Sequence, residues 1–141
     1  MSTATAATAG GVARDLGSVV KPEQAQQPRP TGGVFYFMDY TKLNGLIPAV
    51  IQDADTSEVL MVGFMNDEAL ALTRSTGFAT FFSRTRNKLW MKGETSGNRL
   101  AVTELLVDCD DDTVLVKVKR QGDGNVCHTG ERTCFYRKLD A

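Results

Sequence analysis

The three cysteines are the residues of this chain best suited to metal chemistry. Cys127 and Cys134 flank the segment CHTGERTC, and Cys109 lies in the segment VDCDDD. The spacing of Cys127 and Cys134 is wider than in a finger-type motif, and taken alone it also fits two unrelated buried cysteines. Three thiolates together with one water, however, form the ligand set of a catalytic Zn²⁺. The three cysteines therefore predict one zinc ion.

Three aspartates lie around Cys109, the first cysteine in chain order. Asp108, Asp110 and Asp112 occupy alternate positions that end at a predicted turn, and such oxygen ligands suit a hard cation such as Mg²⁺. The alternative is a solvated acidic hairpin tip, because Asp is a favoured turn residue. If the strand stays regular through Cys109, the thiol and the carboxylates point to opposite faces. One short segment could then serve two metals.

His128, the single histidine of the chain, directly follows Cys127. An imidazole near a zinc-activated water can move protons at neutral pH. Neighbouring side chains diverge in extended backbone, so we predict that His128 is a general acid/base. The alternative is that His128 closes a structural Cys₃His site.

Two similar loops, Gly93–Gly97 and Thr129–Arg132, carry Gly, Thr and Glu beside basic residues. Glycine amides, hydroxyls and bases can hold phosphate oxygens, whereas ordinary glycine turns with solvated bases are the alternative. Neither loop is a P-loop. The predicted substrate-binding residues are Arg84, Arg86, Lys92, Glu94, Thr95, Ser96 and Arg132.

The elements that must position these residues are mostly strands. Two apolar runs, 46–54 and 58–65, predict a hairpin, and further strands are expected at 78–83, 88–91, 102–110, 114–118 and 134–136. One main helix is predicted, capped by Asn66, with Asp67 and Glu68 in its first turn and Gly77 at its end. The fold class is therefore mostly β, or α+β, with a small twisted antiparallel sheet.

The composition of the chain limits the classes of molecule that it can bind. With 141 residues, 42% of them hydrophobic, and a net charge of -1, the chain suits one domain without a general attraction to nucleic acid. Residues 1–33 read as a flexible N-terminal arm and 34–141 as the domain. No apolar run is long enough to cross a membrane. The absence of a secretory pattern and the odd number of thiols favour the cytoplasm.

Four segments resemble the phosphoribosyl-AMP cyclohydrolase family in order and spacing: LIPAVIQDADTSEVLMVGFMNDEAL, FFSRTRNKLWMKGETSGN, VDCDDD and VCHTGERTCFYR. The resemblance covers about residues 43 to 138. It implies hydrolysis of the N1–C6 bond in the purine ring of 1-(5-phosphoribosyl)-AMP, a step of histidine biosynthesis, with zinc activating the water. The resemblance also implies a monofunctional form, because the chain ends at Ala141.

The family resemblance further implies the metal sites and the assembly. The aspartates matching Asp108, Asp110 and Asp112 bind Mg²⁺ in that family, and the cysteines matching Cys109, Cys127 and Cys134 bind Zn²⁺. An intertwined homodimer is implied, in which the cysteine matching Cys109 comes from the partner chain.

Two other functions remain open at this point. Zinc-activated water attacking C6 also serves purine nucleotide deaminases, although their H-x-E and P-C-x-x-C pattern is absent. A zinc-stabilised nucleotide-binding module with a closed Cys₃His site is the second alternative.

Overall fold

The computed structural model describes residues 37–140, so the predicted arm 1–33 lies outside the described residues. Within these residues, one helix and six strands follow one another: β1 (Ile47–Asp53), β2 (Val59–Met65), α1 (Asp67–Thr76), β3 (Thr80–Ser83), β4 (Lys88–Met91), β5 (Leu100–Val107) and β6 (Val114–Arg120). The prediction of a mostly β fold with one main helix is confirmed. Among the described residues, no helix is long and apolar enough to span a membrane.

Four strands form the main sheet in the order β2-β1-β6-β5, and β3 with β4 forms a separate hairpin. Strand β1 pairs antiparallel with β2 but parallel with β6, where Ile51 lies opposite Val116. The prediction of an antiparallel sheet is therefore wrong, because the sheet is mixed. The parallel pair arises because the chain passes through α1, β3, β4 and β5 before β6 arrives beside β1.

The core lies against one face of the main sheet. Alternate residues of β1 and β6 are buried, including Ile51 and Val116, which are both 0% exposed. The ring of Phe81, from β3, covers Gly63 so closely that a Cβ atom there would lie 2.5 Å from the ring. Close contact between the hairpin and the sheet therefore requires glycine at position 63.

Helix α1 begins and ends at the predicted residues. The Asn66 side chain accepts a hydrogen bond from the backbone N–H of Ala69 at 2.8 Å, and Gly77 takes a left-handed conformation with φ 80°. The buried hydroxyl of Thr73 donates to the carbonyl of Ala69 and accepts from the backbone N–H of Thr80 at 3.0 Å. The bond between Thr80 and Thr73 attaches the helix to β3.

Two predicted strand segments are irregular. Residues 134–136 are not a strand, because the backbone N–H of Phe135 is taken by the Thr133 hydroxyl at 3.1 Å. Strand β5 ends at Val107, and Asp111 adopts a left-handed φ of 63° in the following turn. The expected regular strand through Cys109 is therefore wrong, and the two-faced alternation of its side chains does not apply there.

Candidate active site

The turn between β5 and β6 gathers the predicted magnesium ligands. Carboxylate oxygens of Asp108, Asp110 and Asp112 all lie within 4.8 Å of one another. The backbone N–H groups of Asp112 and Thr113 donate to Oδ1 of Asp108 at 3.1 and 3.2 Å, which folds the turn around that side chain. The acidic cluster (Asp108, Asp110, Asp112) is thus built by the turn itself.

Lys42 binds this acidic cluster. Its Nζ donates to Oδ2 of Asp110 and to Oδ2 of Asp112, each at 2.8 Å. The hydrogen bond from Lys42 is the main reason that the pKa of Asp112 falls to about 2. Burial, with the hydrogen bond to Asp112 second, raises the pKa of Asp108. Three acidic groups with one ammonium leave a surplus of negative charge, which suits a hard divalent cation.

The segment from Val126 to Cys134 forms a tight loop, here called the cysteine loop. The backbone N–H of Cys127 donates to the carbonyl of Glu131 and that of Gly130 to the carbonyl of Cys127, both at 3.0 Å. Gly130 has φ 93°, a left-handed conformation that favours glycine. These bonds turn the chain back on itself and bring the two ends of the loop together.

The thiols of Cys127 and Cys134 interact with each other. A hydrogen bond from the Thr129 hydroxyl, 3.0 Å from Sγ, is the main cause that lowers the pKa of Cys127, and Cys134 contributes as well. Burial is the main cause that raises the pKa of Cys134, followed by the neighbouring Cys127. The positive charge of Lys92 favours the thiolate form at both positions. A pair of free thiols beside a cation is a suitable start for a zinc site.

Three further contacts fasten the cysteine loop to the main sheet. The backbone N–H of Cys134 donates to the carbonyl of Leu60 at 2.8 Å, and the buried Thr133 hydroxyl donates to the carbonyl of Val59 at 2.9 Å. The guanidinium of Arg132 pairs with Glu58. The cysteine loop therefore lies along the β2 edge of the sheet.

Cys109 lies far from this loop. It follows β5, which forms the edge of the sheet opposite β2. Three interstrand spacings of roughly 4.8 Å separate those edges, which places Cys109 about 14 Å or more from the thiol pair. Within residues 37–140, the acidic cluster is the one group of three His, Cys, Asp or Glu side chains close enough to share an ion. One chain thus brings two of the three predicted zinc ligands together.

Three predicted substrate-binding residues lie on or directly after the β3–β4 hairpin, and one of them, Lys92, acts on the thiol pair. Arg84 stacks over the ring of Phe64 at 4.0 Å, and Lys92 lies 5.5 Å from the ring centroid of Trp90. Arg86 is exposed in the turn of the hairpin. The charge of Lys92 acts on both thiols, so the end of β4 faces the cysteine loop.

The remaining predicted contacts have mixed roles. His128, Thr95 and Ser96 are exposed, and the Ser96 hydroxyl accepts from the backbone N–H of Asn98 at 3.2 Å. Glu94 is exposed too and accepts from the backbone N–H of Met91 at 3.3 Å. Arg132 is exposed as well, and its guanidinium donates two hydrogen bonds to Glu58.

Sequence reasoning missed two residues that contact the predicted ligands or the loop that carries them. Lys42 is 68 positions away from Asp110, and Glu58 is 74 positions away from Arg132. Neither residue has a neighbour in sequence that reveals its partner. Opposite charge was the available signal, and in a chain with 16 basic and 17 acidic residues it selects no particular pair.

Comparison with known proteins agrees with the geometry. Residues 61–136 match the family model described as phosphoribosyl-AMP cyclohydrolase. A relative of that name from Caulobacter sp. (strain K31) is 63% identical over 94 residues, which cover 67% of this chain and 70% of the relative. Another, from Solibacter usitatus, is 60% identical over 104 residues, covering 74% of this chain and 82% of the relative.

A third relative with the same name, from Geotalea uraniireducens, is 60% identical over 103 residues, covering 73% of this chain and 82% of the relative. The family match includes the acidic cluster, the cysteine loop and β4. The chain therefore belongs to the phosphoribosyl-AMP cyclohydrolase family, hydrolytic enzymes of histidine biosynthesis.

Proposed function

We propose that the chain hydrolyses the N1–C6 bond of 1-(5-phosphoribosyl)-AMP at a zinc site shared by two subunits. Cys127 and Cys134 of one subunit and Cys109 of the partner subunit would hold the ion. The observation that carries the proposal is the pairing of two thiols at one edge of the sheet, with the third cysteine at the opposite edge.

The chemistry of the thiol pair fits Zn²⁺. Cysteine binds zinc as the thiolate, and the hydrogen bond from Thr129 together with the charge of Lys92 favours that form at Cys127. Zinc bound there would lower the pKa of a coordinated water towards 7 and so supply the attacking water. Free thiols persist in a reducing compartment, which supports the cytoplasm as the location.

His128 is the candidate for proton transfer. Its side chain is exposed, and it directly follows Cys127 in the cysteine loop. An ordinary histidine changes charge between pH 5 and 8. We assign to His128 the transfer of a proton to N1 as the N1–C6 bond breaks.

The two phosphates of the substrate need donors beside the thiol pair. Arg84, Arg86 and Lys92 supply positive charge at the β3–β4 hairpin, and the exposed hydroxyls of Thr95 and Ser96 follow β4. Charged donors form strong hydrogen bonds with phosphate oxygens. The acidic cluster would hold Mg²⁺, which gives those phosphates a further positive partner.

A partly exposed apolar row supports the homodimer. Val62, Val50, Leu115 and Leu106 lie opposite one another on consecutive strands, on the face of the sheet away from the core. Val62 is 44% and Leu106 39% exposed. We assign this row to contact with a second copy of the chain, since the zinc ligands need a second chain as well.

Replacing Leu106 with Asp tests the assembly. We expect the variant to be monomeric in size-exclusion chromatography with light scattering, and to lose zinc together with the dimer. The same substitution at Leu139, which is 95% exposed, is the control and should leave the dimer intact. A dimeric Leu106→Asp protein would contradict the assignment of this face.

The catalytic assignment is tested by ring opening and zinc content together. We expect about one zinc per chain by mass spectrometry, and absorbance changes with 1-(5-phosphoribosyl)-AMP that a chelator abolishes. Full activity in protein that contains no zinc would overturn the mechanism. Release of ammonia from AMP or adenosine would instead identify a deaminase.

A further inference from the structure

The pair formed by Glu58 and Arg132 has two parallel hydrogen bonds. Nε of Arg132 donates to Oε1 of Glu58 at 2.8 Å, and Nη2 donates to Oε2 at 2.9 Å. This bidentate arrangement uses both carboxylate oxygens and fixes the orientation of the guanidinium plane. Exposed ion pairs contribute measurably to a structure mainly when they have such geometry. The pair is therefore suited to hold one segment of the chain against another.

Glu58 lies next to the cysteine loop, and Arg132 lies within it. Glu58 directly precedes β2, the edge strand beside the cysteine loop, and Arg132 lies two residues before Cys134. The carbonyl of Arg132 also accepts from the backbone N–H of Val126 at 3.3 Å, next to Cys127. Arg132 thus contacts the sheet through its side chain and both arms of the cysteine loop through its backbone.

Neighbouring contacts limit how the loop can move. The bonds of Thr133 and Cys134 to the carbonyls of Val59 and Leu60 fasten the second arm of the loop to β2. The first arm, with Cys127, has no such bond to β2 among the described backbone contacts and depends on the turn. Arg132 therefore connects the first arm, through Val126, to the attached second arm and to Glu58.

We infer that Glu58 and Arg132 form a clamp that positions Cys127 and Cys134 for zinc, so that Arg132 is a positioning residue instead of a phosphate ligand. This inference rests on the proposed zinc site. A metal site needs its ligands held within about 0.5 Å of the productive geometry, which requires support beyond the ligands themselves.

The clamp is tested by a double-mutant cycle in the full-length dimer. Zinc affinity is measured by competition with a chromophoric chelator for wild type, Glu58→Gln, Arg132→Gln and the double variant. Each single substitution is expected to weaken zinc binding by about tenfold, the lower end of the range for groups that support metal ligands, because neither side chain bonds to a thiol directly. The double variant should be no weaker than either single variant, because each change breaks the same pair.

Lys119→Gln is the matched control. Lys119 forms a solvent-exposed ion pair with Asp55 at 3.3 Å and contacts neither the thiols nor the proposed apolar row, so its substitution should leave zinc affinity unchanged. Arg132→Lys keeps the charge but loses the bidentate geometry, and it should fall between wild type and Arg132→Gln. This intermediate value separates positioning from general loss of folding.

Other outcomes are equally informative. If Arg132→Gln raises KM for the substrate while zinc affinity stays at the wild-type value, Arg132 is a substrate contact and the clamp is refuted. Additive losses in the double variant would also refute it. If wild type itself binds no zinc, the proposed function fails first and the clamp fails with it. Zinc binding that is equal in wild type and Glu58→Gln refutes the clamp alone.

Discussion

Cys109 and Cys134 lie at opposite edges of the four-stranded sheet. Cys134 is bonded through its backbone to Leu60 of β2, and Cys109 follows β5 at the other edge. The width of the sheet, roughly 14 Å, exceeds any distance over which two thiolates can bind one ion, since each lies about 2.3 Å from zinc. One zinc ion could therefore bind both thiolates only at a site between two chains.

Replacing His128 with Ala separates a proton carrier from a zinc ligand. We expect ring-opening turnover to fall by about 100-fold, within the usual range for a lost general acid or base. Zinc content measured by mass spectrometry should remain that of wild type. Loss of zinc and of folded structure in the variant would instead support the closed Cys₃His site.

Replacing Lys42 with Met changes the acidic cluster. The ammonium of Lys42 lies 2.8 Å from Asp110 and from Asp112, where it would compete with a divalent cation for the same oxygens. Mg²⁺ should therefore bind the variant about fivefold more tightly in calorimetry, a modest change because the ion pairs are largely solvated. Lys119→Met, which removes a surface pair with Asp55 at 3.3 Å, is the control. Equal Mg²⁺ affinity in wild type and the Lys42 variant would show that Lys42 does not compete.

Asp53 links stability to pH. Burial alone would raise the pKa of this residue, but backbone N–H groups of Thr56 and Asp55 and the guanidinium of Arg120, 2.9 Å away, lower it below 3.8. A depressed carboxyl pKa stabilises the folded state above the unfolded pKa, and the contribution is lost as pH falls through the folded pKa.

Asp53→Asn should therefore lower the free energy of unfolding at pH 7 by about 1.5–3 kcal/mol, the range for hydrogen bonds to a charged group. The difference from wild type should begin to shrink below about pH 4, where the carboxyl of the unfolded chain takes up a proton, and shrink further as pH falls through the lower folded pKa. Urea unfolding at pH 7 and pH 3 measures both values. A difference that stays constant across this range would contradict the role of the charge.

Gly63→Ala tests the contact between the hairpin and the sheet. A Cβ atom at position 63 would meet the Phe81 ring at 2.5 Å, so the ring or the strand must shift. We expect the free energy of unfolding to fall by about 1–3 kcal/mol. The double variant with Phe81→Leu should lose less than the sum of the two single variants, because the smaller side chain relieves the clash. Additive losses would show that the clash is not the cause.

Local features of the fold could be predicted from sequence. The cap at Asn66 and the end of α1 at Gly77 depend on residues within a few positions, and both are confirmed. The parallel pairing of β1 with β6 depends on how distant segments pack, and alternation of side chains does not specify the direction of a partner strand.

The same difference between local and long-range contacts decides which parts of the site could be predicted. The sequence could predict that the three aspartates lie together because one turn contains them, and in the structure their carboxylate oxygens lie within 4.8 Å of one another. The predicted strand at 134–136 fails because the Thr133 hydroxyl takes a backbone donor, a contact that apolar composition does not reveal. Lys42 and Glu58 were missed because their partners become neighbours only after folding.

The central claim is that zinc is bound between subunits, and mixed dimers test it most directly. Neither Cys109→Ser nor Cys134→Ser should form a complete site as a homodimer. A heterodimer of the two variants combines Cys127 and Cys134 of one chain with Cys109 of the other, which restores one site of the two. Native mass spectrometry should therefore find one zinc per heterodimer and partial recovery of ring opening. A heterodimer without tightly bound zinc, or a Cys109→Ser homodimer that keeps its full zinc content, would contradict the account.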